Sequence, residues 1–75
     1  MLTLSEIKPN QTCTVVGFVG EIDAVLRRLL ELGLTVGTKV KVVATSLQKK
    51  VFLLQLKGYV LSIRTSILNK VAVKL

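Results

Sequence analysis

Residues 21–37, with the sequence EIDAVLRRLLELGLTVG, carry the only clear helical pattern in the chain. Apolar residues recur there at positions i, i+3, i+4 and i+7: Ile22, Val25, Leu26 and Leu29. This spacing places the four side chains on one face of a helix. We therefore predict a helix over residues 22–32 that packs over the rest of the protein through these residues.

Both ends of this predicted helix have recognisable signals. Asp23 stands near its start, where a negative charge suits the positive end of the helix dipole. Gly33 can adopt the left-handed conformation that ends a helix in a Schellman motif, with Leu34 folding back on the last turn. On the outer face, Asp23–Arg27 and Arg27–Glu31 have the i,i+4 spacing of helical ion pairs, so we expect both pairs to form.

The rest of the chain has the patterns of short β-strands. Alternating residues and turn signals predict five of them, over residues 12–19, 39–44, 51–57, 59–64 and 71–75. Gly17 suggests a bulge in the first strand or a close approach of another part of the chain. A capping-box pattern at Thr3 and Glu6 predicts one short helical turn before it. The predicted fold is a small, mainly β barrel of about five antiparallel strands, with the last strand beside the first and the single inserted helix over an open end.

Length and composition favour one domain over residues 1–75. A chain of this size buries only ~60% of its unfolded surface, and the 51% hydrophobic content compensates for this. The single cysteine rules out an internal disulfide and fits a reducing cytoplasm. The N-terminus lacks the features of a signal peptide, and no apolar run approaches the ~20 residues that span a bilayer. We expect a cytoplasmic protein that does not itself span the membrane.

The residue types needed for catalysis or metal binding are scarce. Histidine, the commonest general base and metal ligand, is absent. The four acids are Glu6, Glu21, Asp23 and Glu31, and those around the helix alternate with basic residues, which is typical of ion pairing. Cys13 lies among threonines with no base nearby, which favours a buried structural thiol. No glycine-rich phosphate loop is present. We expect no enzyme activity, no cofactor and no metal site.

The net charge of +7 leaves two interpretations open. Lysines can simply keep an apolar small domain soluble, or the charge can attract an acidic partner such as nucleic acid or an anionic lipid surface. Small barrels bind single strands with a basic groove and aromatic stacking platforms. The available aromatic residues are Phe18, Phe52 and Tyr59, and Phe52 has the parity of a core residue. A basic nucleic-acid-binding module is therefore the alternative function, and no specific nucleic acid is expected.

Three motifs together resemble the ferrous iron transport protein A (FeoA) family. They are L-x-E-I-K-P-N-Q near the start, R-R-L-L-E-L-G-L-T-V-G-T-K-V from Arg27, and K-G-Y-V-L-S-I-R from Lys57. The resemblance covers essentially the whole chain. The sequence departs from it at Val36, where proline is usual, and at Asn10, where glycine is usual. Both positions are in predicted turns.

The resemblance implies an SH3-like barrel and a cytoplasmic accessory role beside FeoB, the membrane ferrous iron permease with a GTP-binding domain. The same domain type also serves as a protein-interaction module in iron-dependent repressors. We expect the partner-binding surface to join the outer face of the helix to the tip of a hairpin. Its residues would be Arg27, Arg28 and Glu31 from the helix and Lys49 and Lys50 from the tip.

Overall fold

One antiparallel sheet of five strands forms the body of the protein. The computed structural model describes residues 1–75 and contains β1 (Thr12–Phe18), β2 (Lys39–Thr45), β3 (Val51–Leu56), β4 (Tyr59–Arg64) and β5 (Val71–Lys74). The strand order is β4-β3-β2-β1-β5, with every neighbouring pair antiparallel. The predicted pairing of the last strand with the first is confirmed. The register of β1 against β5 shifts between Val15 and Gly17, which confirms the predicted bulge.

Alternation along the strands decides which side chains form the core. In β2, Val40 and Val42 are buried while Lys39 and Lys41 face solvent. The largest buried side chain, Phe52, lies in β3 with the same parity as two buried leucines. The core cluster contains Leu4, Ile7, Cys13, Val15, Leu26, Leu29, Leu34, Val40, Val42, Phe52, Leu54, Leu56, Ile63, Leu68, Val71 and Val73.

The main helix, α1 (Ala24–Glu31), is shorter than predicted. Its N-cap is Asp23, which has an extended backbone and accepts a hydrogen bond from the Leu26 N–H at 2.8 Å. Ile22 therefore precedes the helix and is 55% exposed, and Val25 is 46% exposed. The prediction that both pack in the core is wrong, because a helix of two turns presents only a narrow stripe to the sheet. Of the four predicted residues, only Leu26 and Leu29 are buried.

The end of α1 has the predicted Schellman geometry. The Leu34 N–H donates to the Leu29 carbonyl and the Gly33 N–H donates to the Leu30 carbonyl, both at 3.1 Å. Gly33 has φ +107°, a conformation that suits a residue without Cβ. Leu34 is then fully buried. The motif turns the chain from the helix into β2.

The ion pairs of α1 differ from the prediction. Asp23 contacts Lys70, with 2.8 Å between Oδ2 and Nζ, and Arg28 contacts Glu31 at 3.5 Å. The predicted Asp23–Arg27 and Arg27–Glu31 pairs are wrong. One Asp23 oxygen caps the helix and the other accepts from Lys70, so the carboxylate is turned away from Arg27.

The two edges of the sheet are treated differently. The N-terminal segment covers the β5 edge, where the Val73 N–H donates to the Leu2 carbonyl at 2.9 Å and Thr3 bridges to Ala72. The predicted capping box follows it, since the Thr3 N–H donates to Glu6 Oε1 and a 3₁₀ turn spans Leu4–Glu6. At the opposite edge β4 pairs only with β3.

After β4 comes a one-turn helix, α2 (Thr65–Leu68). Neither α1 nor α2 has the length and apolar character needed to cross a membrane.

Candidate protein interaction surface

A groove of about 490 Å³ separates α1 from the edge of β4. Its apolar lining comes from Ala24, Val25 and Leu29 of α1, Ile63 of β4 and Ile67 of α2. Arg28 and Arg64 also line it, one from each side. We call this the α1–β4 groove. The groove exists because α1 buries only Leu26 and Leu29. The Val25 side of the helix is therefore uncovered and lies opposite the edge strand β4.

A basic depression of about 500 Å³ borders the groove. It is lined by Lys49 and Lys50 of the β2–β3 loop, by Arg64, and by the start of α2. We call it the basic tip. Arg64 lines both cavities, so the α1–β4 groove and the basic tip form one continuous surface.

Hydrogen bonds to the backbone of residues 49–51 fix the position of the basic tip. The Ser46 hydroxyl accepts from the Lys50 and Val51 N–H groups, at 2.9 and 3.1 Å. The Thr65 N–H donates to the Lys50 carbonyl at 2.9 Å, and the Thr65 hydroxyl donates to the Lys49 carbonyl. The loop is therefore tied to α2, and its two lysines extend from an ordered support.

The structure brings together three of the five residues predicted for partner binding. Arg28, Lys49 and Lys50 lie on the continuous surface, and Glu31 joins it through its ion pair with Arg28. That pair is exposed, and exposed pairs contribute only ~0–1 kcal/mol, so Arg28 can exchange Glu31 for a partner's carboxylate at little cost. Arg27 is exposed but lines neither cavity.

Sequence reasoning missed Arg64 and assigned Val25 to the core. A signal for Arg64 was available, because it occupies the solvent-facing parity of β4 immediately before a predicted turn. Nothing in the helical periodicity distinguishes Val25 from Leu26 or Leu29. The exposure of Val25 is set by the packing of α1 on the sheet, which the sequence pattern does not contain.

The electrostatics of this surface are one-sided. Arg28, Lys49, Lys50 and Arg64 contribute four positive charges, the only acidic side chain paired with them is Glu31, and no acidic side chain lines either cavity. The apolar floor and the basic rim together suit a partner that presents both apolar and acidic groups.

The remaining chemically active residue types lie elsewhere. Cys13 is buried in β1, and its burial raises the pKa of the thiol to about 11. No three of the cysteine, aspartate and glutamate side chains lie close enough together to hold a metal ion. Among the aromatics Phe52 is buried, Phe18 packs on the core, and Tyr59 is 38% exposed beside Gly33. One partly exposed ring is a limited stacking surface.

Comparison with known proteins supports the predicted resemblance. The profile of the FeoA domain family matches residues 2–75. A FeoA-like protein from Clostridium acetobutylicum is 27% identical, with a TM-score of 0.89 over 99% of this chain and 85% of its own. FeoA from Chlorobium tepidum is 30% identical, with a TM-score of 0.89 over 99% of this chain and 70% of its own. A search of curated proteins gives no match.

A third similar structure is that of a protein with an SH3 domain. FeoA from Stenotrophomonas maltophilia, solved with zinc, is 32% identical, with a TM-score of 0.80 over 99% of this chain and 91% of its own. It is described as a prokaryotic SH3 domain protein and a possible ferrous iron transport activating factor. The predicted SH3-like barrel is confirmed by this similarity together with the five-stranded antiparallel sheet.

Proposed function

Because this chain belongs to the FeoA family, we propose that it is a cytoplasmic accessory protein of ferrous iron uptake that binds the cytoplasmic part of the FeoB permease. The observation that carries the proposal is the continuous surface formed by the α1–β4 groove and the basic tip. The description of the Stenotrophomonas maltophilia protein as a possible transport activating factor supports a role in the same process.

The two halves of the surface contribute differently to binding. The groove offers apolar area to a partner, and exposed apolar patches on small proteins commonly mark interaction sites. The basic tip and the two arginines attract an acidic partner from a distance and align it, which mainly raises the association rate. The proposed action is therefore recognition of another protein rather than catalysis.

The side chains give no support for a reaction of this protein's own. The chain contains no histidine, and Cys13 is buried with a raised pKa that keeps the thiol protonated near neutral pH. Asp23 and Glu31, the two acids in ion pairs, contact Lys70 and Arg28.

Binding of single-stranded nucleic acid is the competing function, favoured by the net charge and by partly exposed Tyr59. Such a binder would lose affinity steeply with salt and would weaken when Tyr59 becomes Ala, because stacking contributes ~1–3 kcal/mol per base. We expect weak, sequence-independent retention that the Tyr59→Ala change does not alter. Tight binding at physiological salt that depends on Tyr59 would favour the competing function.

The direct test is a binding titration with the purified cytoplasmic part of the permease, using charge-reversal variants. The test variant is Arg28→Glu with Lys50→Glu, which lie on the continuous surface. The matched control is Lys39→Glu with Lys41→Glu, which are exposed on β2 and line neither cavity. Each reversal removes two charges, so both double variants fall from +7 to +3.

We expect the test variant to bind about tenfold more weakly than the control at low salt, with the difference shrinking as salt rises. Melting curves of the two variants should differ little, because all four side chains are exposed and the Arg28–Glu31 pair contributes only ~0–1 kcal/mol. Equally weakened permease binding in both variants would show that only the net charge of the protein matters and that the position of the charges does not. Unchanged binding in the test variant would place the interaction elsewhere.

A further inference from the structure

The free edge of β4 has backbone groups that no part of the protein pairs. A two-residue turn at Lys57 and Gly58, both with positive φ, joins β3 to β4. Such a turn makes Leu56 and Tyr59 a hydrogen-bonded pair, and hydrogen-bonded pairs then alternate along the ladder. The N–H and C=O groups of Val60 and Ser62 consequently point away from β3.

No other segment supplies partners for these groups. β4 is at one edge of the sheet, and none of the backbone hydrogen bonds in turns, loops and caps involves Val60 or Ser62. The opposite edge, at β5, is covered by the N-terminal segment. The protein therefore has one closed sheet edge and one open edge.

The open edge borders the α1–β4 groove. Ser62, Ile63 and Arg64 of β4 line the groove, with Leu29 and Arg28 on its helical side. We infer that an extended segment of the partner binds there as an added strand on β4, with alternate side chains in the groove. This inference rests on the proposed function, since it names how the same surface holds the permease.

The chemistry of the site defines the segment. Added strands obtain affinity from main-chain hydrogen bonds and specificity from pockets that accept alternate side chains. The floor at Leu29 and Ile63 suits an apolar residue at every second position. Arg28 and Arg64 suit carboxylates on the same segment. The segment is thus extended, acidic and partly apolar.

Two other occupants fit the observations less well. A partner helix could fill the groove but would leave the Val60 and Ser62 groups unpaired, since its own backbone bonds are internal. A second copy of this chain could pair edge to edge, but it would bring two chains with a net charge of +7 together. Charge complementarity favours an acidic partner.

Amide hydrogen exchange of the full chain tests the inference, with and without the purified cytoplasmic part of the permease. The Val60 and Ser62 amides should exchange rapidly in the free protein and at least ~10-fold more slowly in the complex. If the partner binds and these two amides still exchange rapidly, the added strand is excluded while the proposed function stands. Slow exchange of the Val60 and Ser62 amides in the protein without the permease, together with a molecular mass in solution twice that of the chain, would show that two copies pair through β4. This result would also overturn the inference.

A backbone substitution tests the same point independently. Ser62→Pro removes an outward N–H that makes no bond in the free protein, and proline is tolerated at such edge positions. Ser62→Ala keeps that N–H and is the matched control. We expect Ser62→Pro to weaken permease binding ~10-fold relative to Ser62→Ala, with circular dichroism confirming that both variants are folded.

The outcomes separate the two claims. Equal binding by the two Ser62 variants overturns the added strand but leaves the permease interaction in place. Absence of binding by the parent protein overturns both. If Ser62→Pro does not fold, the exchange measurement on the parent protein decides the matter.

Discussion

Replacement of Leu29 by Ala tests how α1 is held on the barrel. Leu29 is buried in the core cluster, and its carbonyl accepts the Leu34 N–H that closes the Schellman motif. The change removes three carbon atoms and leaves a cavity between the helix and the sheet. Leu→Ala changes at fully buried sites cost ~2–5 kcal/mol from lost transfer free energy and the cavity together. The backbone bond to Leu34 does not depend on the side chain, so we expect a loss of ~3 kcal/mol.

Such a loss is large for a protein of this size. Total stability at ~0.05–0.15 kcal/mol per residue is ~4–11 kcal/mol for 75 residues. A change of 1 kcal/mol moves the melting temperature of a small domain by ~4–8 °C, so Leu29→Ala should lower it by more than ~10 °C. Urea unfolding with an unchanged slope would confirm that the native state is weakened rather than reorganised.

Val25→Ala is the matched control on the same helix. The two residues share a helical face, but Val25 is 46% exposed beside the α1–β4 groove. Its truncation should change stability by no more than ~0.5 kcal/mol. A Leu29→Ala curve within error of the parent would refute the packing of α1. Equal losses in the two variants would show that Val25 is also buried.

Three further predictions concern single residues. Gly33→Ala should destabilise by more than ~1 kcal/mol, because φ is +107° and an added Cβ would lie 2.7 Å from Tyr59 Oη. Urea unfolding should show a larger loss than for Gly20→Ala, where φ is also positive but nothing lies within 4 Å, and equal losses would remove the contact from the explanation. Burial raises the pKa of the Cys13 thiol to about 11, so iodoacetamide at about pH 8 should label the native protein far more slowly than the urea-unfolded chain; rapid native labelling would contradict burial. The hydrogen bond from Lys70 holds the pKa of Asp23 below its ordinary value of 3.8. The stability it provides is therefore complete above the unfolded pKa and lost as the pH falls through the folded one. Melting curves of the parent and Asp23→Asn should differ at neutral pH and converge in strong acid, and a difference independent of pH would exclude the charge as its cause.

Local rules were enough to predict most of the fold. Alternation placed Phe52 and Val42 in the core, Gly33 marked the Schellman ending, and Gly17 marked the bulge, because each depends on a few neighbouring residues. These features were confirmed by the structure. The pairing of the first and last strands followed from the need of short strands to close a barrel.

The errors arose where tertiary surroundings decide. Ile22 and Val25 match the helical period, but Asp23 caps the helix after Ile22, and Val25 borders the α1–β4 groove and is 46% exposed. Asp23 pairs with Lys70, which is distant in sequence, so helical spacing could not predict the pair.

The candidate surface was only partly predictable for the same reason. Arg28 and Lys50 are recognisable as exposed basic residues, but Arg64 becomes their neighbour only through the fold. The open edge of β4 likewise depends on the strand order, which no local pattern contains.

Amide chemical-shift mapping would show whether the permease binds across the α1–β4 groove and the basic tip. The ¹⁵N-labelled full chain would be titrated with the unlabelled cytoplasmic part of the permease. We expect the largest shifts at Arg28, Lys50, Ser62 and Arg64, with little change at Lys39. Shifts centred on Lys39 and its neighbours in β2, or no shifts at any ratio, would contradict binding at this surface.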